Sequence, residues 1–305
     1  MRRFACIVLL MSALIAPVRG QETGLSFLRI AVGAEASAMA DARTALSRDA
    51  FATTENPAGL VATTSTMVAL SHRKWVGNLR SYDVATRFGM GEKGAVGLAV
   101  TATDSGELEA RDRPGEPSGT FSAQFISLGT SYARVFGSLR IGVTAKYLRE
   151  QIYGSNASGY AIDAGVQLDL VGESLVIGAV LQNVGKMSTL EREATELPRT
   201  LRAGAALYPF QVLANADGTQ LLEVMVAGEV SYLIPSDLTR LHAGLAATVM
   251  ELVVLRSGYV TQDELRDLTF GVGLSFDTFT FNYAYIPFEE GFEGPGHLVT
   301  LLYAW

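Results

Sequence analysis

The stretch 268–285, LTFGVGLSFDTFTFNYAY, decides the fold class. Leu268, Phe270, Val272, Leu274 and Phe276 alternate with Thr269, Gly271, Gly273 and Ser275. After Asp277, Phe279, Phe281, Tyr283 and Tyr285 alternate with Thr278, Thr280, Asn282 and Ala284. A period of two residues places the two sets on opposite faces of extended chain, and a helix cannot satisfy it. With Asp277 at the junction, the reading is a tight hairpin of two strands.

The same alternation runs outward in both directions. Tyr160, Ile162, Ala164, Val166, Leu168 and Leu170 stand against Asp163, Gly165, Gln167 and Asp169. Strands are predicted at 64–74, 81–88, 94–103, 120–134, 138–152, 157–171, 174–184, 199–210, 221–234, 239–249, 251–260, 267–276, 278–286 and 297–305, which is fourteen, an even number. They are longer than the five or six residues usual in soluble sandwiches. Their second face is mostly Gly, Ala, Thr, Ser and Gln with scattered charge, which suits the inside of a barrel whose outer face meets lipid. Links near Gly89-Met90-Gly91, Phe136-Gly137, Val171-Gly172-Glu173, Val249-Met250 and Asp277 are tight, whereas 104–119, 185–198 and 287–296 are long and polar, the asymmetry of outer-membrane barrels. Gln211 to Gln220 breaks the rule: it should be a periplasmic turn yet is long, through either an insertion or a local miscount. The fold class is thus an all-β membrane protein, a fourteen-stranded antiparallel transmembrane barrel over residues 63–305.

Composition agrees. Apolar residues make up 49% and charged residues 18% of the chain, yet no run beyond the first twenty residues is long enough to span a bilayer as a helix. Residues 1–20 read as a secretory signal, with Arg2 and Arg3 before an apolar core from Phe4 to Val18 and cleavage after Gly20, implying export by the Sec route to the outer membrane. The single cysteine, Cys6, lies within it, which excludes disulfides, thiol nucleophiles and zinc–thiolate sites from the mature chain. A net charge of −7 without a basic run gives no support to a nucleic-acid partner.

Residues 24–60 do not alternate, and 21–62 form a separate segment ahead of the barrel. The Ala-rich run Ala34 to Ala50, with Met39, Ala42, Ala45 and Leu46 at helical spacing, predicts one short helix. In Asn56-Pro57-Ala58-Gly59-Leu60, Pro57 drives Asn56 out of the helical region and Gly59 permits a turn. A barrel of fourteen strands encloses more space than its inward side chains fill, so this segment is expected to plug the lumen. Glu223, Glu229, Asp163, Asp169, Arg140, Lys146, Arg202 and Arg256 are expected to face inward and to hold the plug through ion pairs.

Phe27-Leu28, Ile30, Gly33-Ala34, Ala36, Met39, Ala42, Ala45, Asp49-Ala50 and Asn56 to Leu60 resemble the amino-terminal pattern of the PorV/PorQ family, itself similar to the FadL-type barrels. The resemblance implies that Gly33, Met39, Asp49, Asn56, Pro57, Ala58 and Gly59 form a plug motif in the lumen. The terminal strand, with Val299, Leu301, Tyr303 and Trp305 on one face, resembles the signal read by the barrel-assembly machinery. Physically, a terminal aromatic suits the membrane interface.

The function implied by the resemblance is a secretion-associated (type IX-like) accessory protein that binds exported cargo or secretion-system components. A FadL-like transporter of hydrophobic small molecules is the alternative, and a soluble exported β-protein a third. Beyond membrane lipid, the partners would be proteins in the first case and a hydrophobic ligand in the second. No Gly-x-Ser-x-Gly elbow or phosphate loop is present, and His72, His242 and His297 fall on different strands, so neither catalysis, cofactor nor metal is expected. Glu289, Glu290 and Glu293, interleaved with Phe288 and Phe292, form an acidic aromatic loop.

Overall fold

Alternation over so many consecutive strands has one economical outcome: each pairs with its chain neighbour, and the last closes on the first. In a computed structural model that describes residues 24–91, 93–111, 113, 115–170, 174–213, 220–289 and 294–305, this closure is complete. The strands are Met67–Lys74, Arg80–Met90, Gly94–Asp104, Ala123–Phe136, Leu139–Ile152, Ser155–Leu170, Leu175–Met187, Thr200–Leu213, Gln220–Leu233, Leu238–Val249, Val253–Val260, Leu268–Phe276, Phe279–Ile286 and Gly296–Ala304. Every predicted strand is present. The seam joins the first strand to the last antiparallel, from Met67 opposite Ala304 to Lys74 opposite His297, and Thr66 and Trp305 exchange backbone hydrogen bonds of 3.0 Å at its end. A closed sheet leaves no edge unpaired in lipid.

The facing of the side chains follows the pattern. In the sixth strand Tyr160 and Ile162 are 53% and 49% exposed, while Asp163 and Gln167 are at 0% and 1%. Phe88, Phe136, Phe276, Phe279, Tyr303 and Trp305 ring the outer surface at the short-turn end. Tyr82, Tyr147, Tyr160, Tyr259 and Tyr285 ring it at the other, with Tyr147 and Tyr160 directly opposite each other. Aliphatic residues such as Leu98, Val100, Leu128 and Val143 fill the band between, so the exterior has the two aromatic girdles of a membrane-embedded barrel.

The suspect link at Gln211 to Gln220 has a simple explanation. The eighth and ninth strands run on to Leu213 and from Gln220, paired as Gln211 opposite Glu223 and Val212 opposite Leu222, so the extra length lengthens a hairpin and the count stands. The register shifts between Leu207 and Phe210, where Pro209 cannot donate to the ladder. The signal at residues 1–20, the turn at Val171-Gly172-Glu173 and loop residues Glu290, Phe292 and Glu293 lie outside the described residues.

Residues 24–66 occupy the lumen. The expected helix is shorter than its apolar spacing implies: it spans only Ala34–Ala38 and is ended by left-handed backbone at Ala40 (φ 50) and Asp41 (φ 64). Three 3₁₀ turns, Ser26–Arg29, Ala50–Thr53 and Pro57–Val61, make up the other regular pieces. Met39, Ala42, Ala45 and Leu46 still share one face, packed on Val176, Ala206, Met225, Ala227 and Ala246 of the wall. Two left-handed non-glycine residues cost about 1–2 kcal/mol each. They persist because the wall holds them: Ala40 N donates to Thr269 Oγ1 at 3.0 Å, His242 Nδ1 donates to the Ala40 carbonyl at 2.7 Å and Arg202 Nη2 to the Asp41 carbonyl at 2.6 Å.

Candidate functional site in the barrel lumen

Backbone polar groups that make no ladder must find partners elsewhere. In the plug the partners are side chains of the strands. Thr300 Oγ1 accepts from Ala34 N, Glu229 Oε2 accepts from Thr44 N at 2.7 Å, and Gln167 Nε2 donates to the carbonyls of Thr44 and Ser47, each at 3.0 Å. Gln182 Nε2 donates to the Thr54 and Glu55 carbonyls, and Arg87 to those of Leu60, Thr63 and Ser65. The Gln, Thr and Ser that made the second face look merely polar are thus the plug's hydrogen-bonding surface.

The motif residues fall at the centre of this arrangement. Asn56, fully buried and extended (φ −141), caps the Pro57–Val61 turn through Oδ1, which accepts from Ala58 N at 3.2 Å; its Nδ2 donates to the Thr44 carbonyl at 2.8 Å and the Val166 carbonyl at 3.2 Å. One side chain therefore closes a turn, braces a second plug segment and docks both to the wall. Asn56→Ala is expected to lower stability by about 1–3 kcal/mol. Asn56→Asp, which keeps the cap but loses both donations and buries a charge, should cost more; equal thermal unfolding midpoints for all three proteins in detergent would refute the assignment. Gly59 serves differently from its expected turn role: a Cβ there would lie 2.0 Å from the Ser47 carbonyl oxygen, so its part is close packing. Gly33 precedes the helix against the Phe51 ring, and Met39 is fully buried.

Asp49 caps the Ala50–Thr53 turn, accepting from Phe51 N at 2.7 Å, and also meets Arg43 Nη2 at 3.1 Å. Arg43, only 3% exposed, is the hub of the plug, with Glu55 Oε2 3.1 Å from its Nε and Glu35 Oε2 3.9 Å from its Nη1. Glu35 also reaches Arg256 of the wall at 3.6 Å. Burial alone would raise the Glu35 pKa, but Arg256, Arg43 and Arg48 outweigh it and hold it at about 2. Glu55 goes the other way: burial dominates, Asp49 adds to it, and the Arg43 charge offsets them only in part, leaving a pKa of about 8.

A carboxyl whose pKa is higher folded than unfolded binds its proton more tightly when folded. Glu55 therefore favours the folded state in acid, and that contribution declines as pH rises from the ordinary carboxylate range through about 8. Thermal unfolding of the wild type should fall in midpoint over that window, with a flatter profile for Glu55→Gln. Parallel profiles would show that Glu55 is already ionised.

Most of the eight inward charges predicted from the sequence pair within the wall: Lys146 with Asp163 at 2.5 Å, Arg202 with Glu229 at 2.5 Å and Arg140 with Asp169. Of these eight, Arg256 makes a direct ion pair to the plug; a second such pair, Arg266 with Asp41, was not anticipated. The histidines have three settings. His72 stacks on Tyr82, His297 lies against Tyr283 and Tyr285, and His242 alone faces the plug.

The lumen is divided. At the short-turn end, periplasmic in barrels of this kind, two connected polar recesses of about 400 and 500 Å³ share Leu46, Arg48, Ala62, Tyr208 and Glu223 and reach up to Glu35 and Asp49. Within the plug lies a smaller cavity of about 60 Å³, bounded by Phe27, Leu28, Ile30 and Val32 on one side and Ala36, Arg43 and Glu55 on the other. The Arg43 cluster is the partition between them.

Solved structures with this architecture carry the comparison. The toluene transporter TbuX of Ralstonia pickettii superposes with a TM-score of 0.56 at 15% identity, covering 89% of this chain and 97% of that one. The fold is that of the FadL-like outer-membrane barrels. The CymD monoaromatic hydrocarbon channel gives 0.60 at 14% identity over 93% and 98%, and a FadL homologue of Pseudomonas aeruginosa 0.55 at 10% over 90% and 98%. No protein-family model matches the chain, and no curated protein does, so the PorV/PorQ resemblance rests on the motif residues alone.

Arg43, Glu55 and Arg266 escaped the sequence reading, because an isolated charge in a non-periodic segment shows no partner. The signal was present in Glu35, Asp41, Arg43, Arg48, Asp49 and Glu55, six charges in a segment otherwise rich in alanine.

Proposed function

We propose that the protein is a non-catalytic channel admitting small hydrophobic molecules across the outer membrane. The observation that carries this is the cavity within the plug beside Phe27, Leu28, Ile30 and Val32, an apolar lining inside the lumen. Binding sites of this sort combine an apolar lining with a few fixed polar groups. Two structural neighbours, a toluene transporter and a monoaromatic hydrocarbon channel, handle molecules of that class and favour this reading over the secretion-associated one, which has the motif resemblance alone.

Passage requires the plug to shift, since Arg43, Asp49 and Glu55 stand between the cavity and the periplasmic recesses. Uptake of a panel of labelled monocyclic compounds should be faster in cells carrying the gene than in a deletion strain, and slower again with Ala36→Phe, which fills the cavity. Equal uptake of every compound with and without the gene would overturn the proposal. Recovery of exported proteins bound to the tagged barrel would favour the secretion role.

A further inference from the structure

Charge on the lipid-facing side of the barrel is concentrated beside the seam. At the long-loop end, Lys74 of the first strand stands directly opposite Arg80 of the second and, on its other side, directly opposite His297 of the last. Both cations are exposed on the outward face, and among the described residues neither makes a hydrogen bond or an ion pair. Like charges about 5 Å apart on facing strand positions repel each other. The next residue in the row, Asp104 of the third strand, lies opposite Arg80 but is engaged elsewhere: its Oδ1 accepts from Gly106 N at 2.7 Å.

The depth of this row follows from the tyrosines. Tyr285 pairs with His297, so Lys74 and Arg80 lie level with a residue of the outer girdle, and Arg80 stands two residues beyond Tyr82, about 6–7 Å further out. One row below, the His72 ring stacks on Tyr82 with centroids 4.6 Å apart, and the Tyr283 hydroxyl is 2.8 Å from His297 Nδ1. Interfacial aromatic rings sit at the level of the lipid headgroups. Lys74 and Arg80 therefore meet headgroups, and at the long-loop end these belong to the outer leaflet.

A single long cation at this depth needs only water at its tip. Arg134, at the opposite girdle, is of that kind: it lies over the Phe136 ring at 5.6 Å and faces Gly94 and Ile141, with no cation opposite. Two cations held face to face without an acid between them fit one phosphate, whose oxygens can take charge-assisted hydrogen bonds from both.

We infer that Lys74 and Arg80, flanked by His297 and the Tyr82 ring, bind the phosphate of an acidic outer-leaflet lipid, so that the barrel holds a specific lipid at the seam between its first and last strands. The inference is independent of what passes through the lumen.

The experiment titrates the purified protein in nonionic detergent with diphosphorylated lipid A, with the same lipid dephosphorylated, and with inorganic phosphate. Retained lipid is counted by native mass spectrometry, and thermal unfolding is followed in parallel. Diphosphorylated lipid A is expected to bind and to raise the unfolding midpoint. Binding should weaken about tenfold or more when the phosphates are removed, and by a similar factor in the Lys74→Gln/Arg80→Gln double variant. Without lipid the double variant should unfold no lower than wild type, because neutralisation relieves the repulsion. Arg134→Gln should bind as wild type does, and heat-modifiable migration checks the folding of each variant. Equal retention by wild type and double variant, or of the two lipid forms, would overturn the inference. So would equal loss in Arg134→Gln, which would reduce the effect to overall charge. Displacement of the lipid by millimolar inorganic phosphate would make this an anion site open to solvent and not a lipid site. A lower lipid-free midpoint in the double variant would show that the protein itself already balances the pair.

Discussion

Gly258→Val is expected to unseat the plug. A Cβ at this position would lie 2.3 Å from the Met39 carbonyl carbon and 2.4 Å from Ala40 N, both backbone atoms that no rotamer change can move. The wall cannot retreat, because Gly258 is paired with Gly244 on one side and Thr269 on the other. The plug must move, and with it go the bonds that hold left-handed Ala40 and Asp41: Thr269 to Ala40, His242 to Ala40 and Arg202 to Asp41. Overpacking alone costs about 1–3 kcal/mol, and the lost bonds to buried groups place this substitution at or beyond the upper end. The measurements are the thermal unfolding midpoint in detergent and ion conductance in planar bilayers, the first falling and the second rising as the lumen opens. Gly228→Val is the control, since nothing lies within 4 Å of a Cβ at that outward position. Matching behaviour of the two variants would mean that the plug does not press on the wall at Gly258.

Arg43→Met carries the second large effect. The side chain keeps its length and loses the charge that Asp49, Glu55 and Glu35 share. Removing one partner from a buried ion cluster costs about 3–5 kcal/mol, because the Asp49 carboxylate stays buried without its partner. Glu35 retains Arg256, so the loss falls on Asp49 and Glu55, and Glu55, already pushed up to about 8 by burial, holds its proton more tightly once the Arg43 charge is gone. The expected result is a lower unfolding midpoint at neutral pH that recovers in acid, together with faster proteolysis of the plug. Adding Asp49→Asn should restore part of the loss, by removing the stranded carboxylate. An Arg43→Met protein with wild-type stability and no pH dependence would show that the cluster is not what separates the cavity from the periplasmic recesses.

The barrel was open to reading because two different solvents act on each strand. Lipid outside and a polar lumen inside impose opposite demands on successive residues, so Tyr160, Ile162 and Val166 declare one face and Asp163 and Gln167 the other without reference to any neighbour. Pairing between chain neighbours then fixes the order. Even the long Gln211 to Gln220 link altered the length of a hairpin and not the number of strands.

The candidate site was legible in part. Asn56 stood out because its side chain acts on the turn that follows it, and the extended backbone before Pro57 is a local steric effect. Gly59 was noticed for the wrong reason, since the atom it must avoid, the Ser47 carbonyl oxygen, belongs to another turn. Arg43 gave no sign of its role, because its three carboxylate partners come together only once the chain is folded.

The sequence by itself determined the closed fourteen-stranded sheet, the direction each strand residue faces and the presence of a non-strand segment to fill the lumen. Only the tertiary structure decided the path of that segment. Apolar spacing from Ala34 to Leu46 asked for a continuous helix, and the chain left it after Ala38. The physical reason is that plug amides and carbonyls are satisfied by Thr269, Gln167, Glu229 and Arg202, residues more than a hundred positions away, so the helix ladder was no longer needed to pair them.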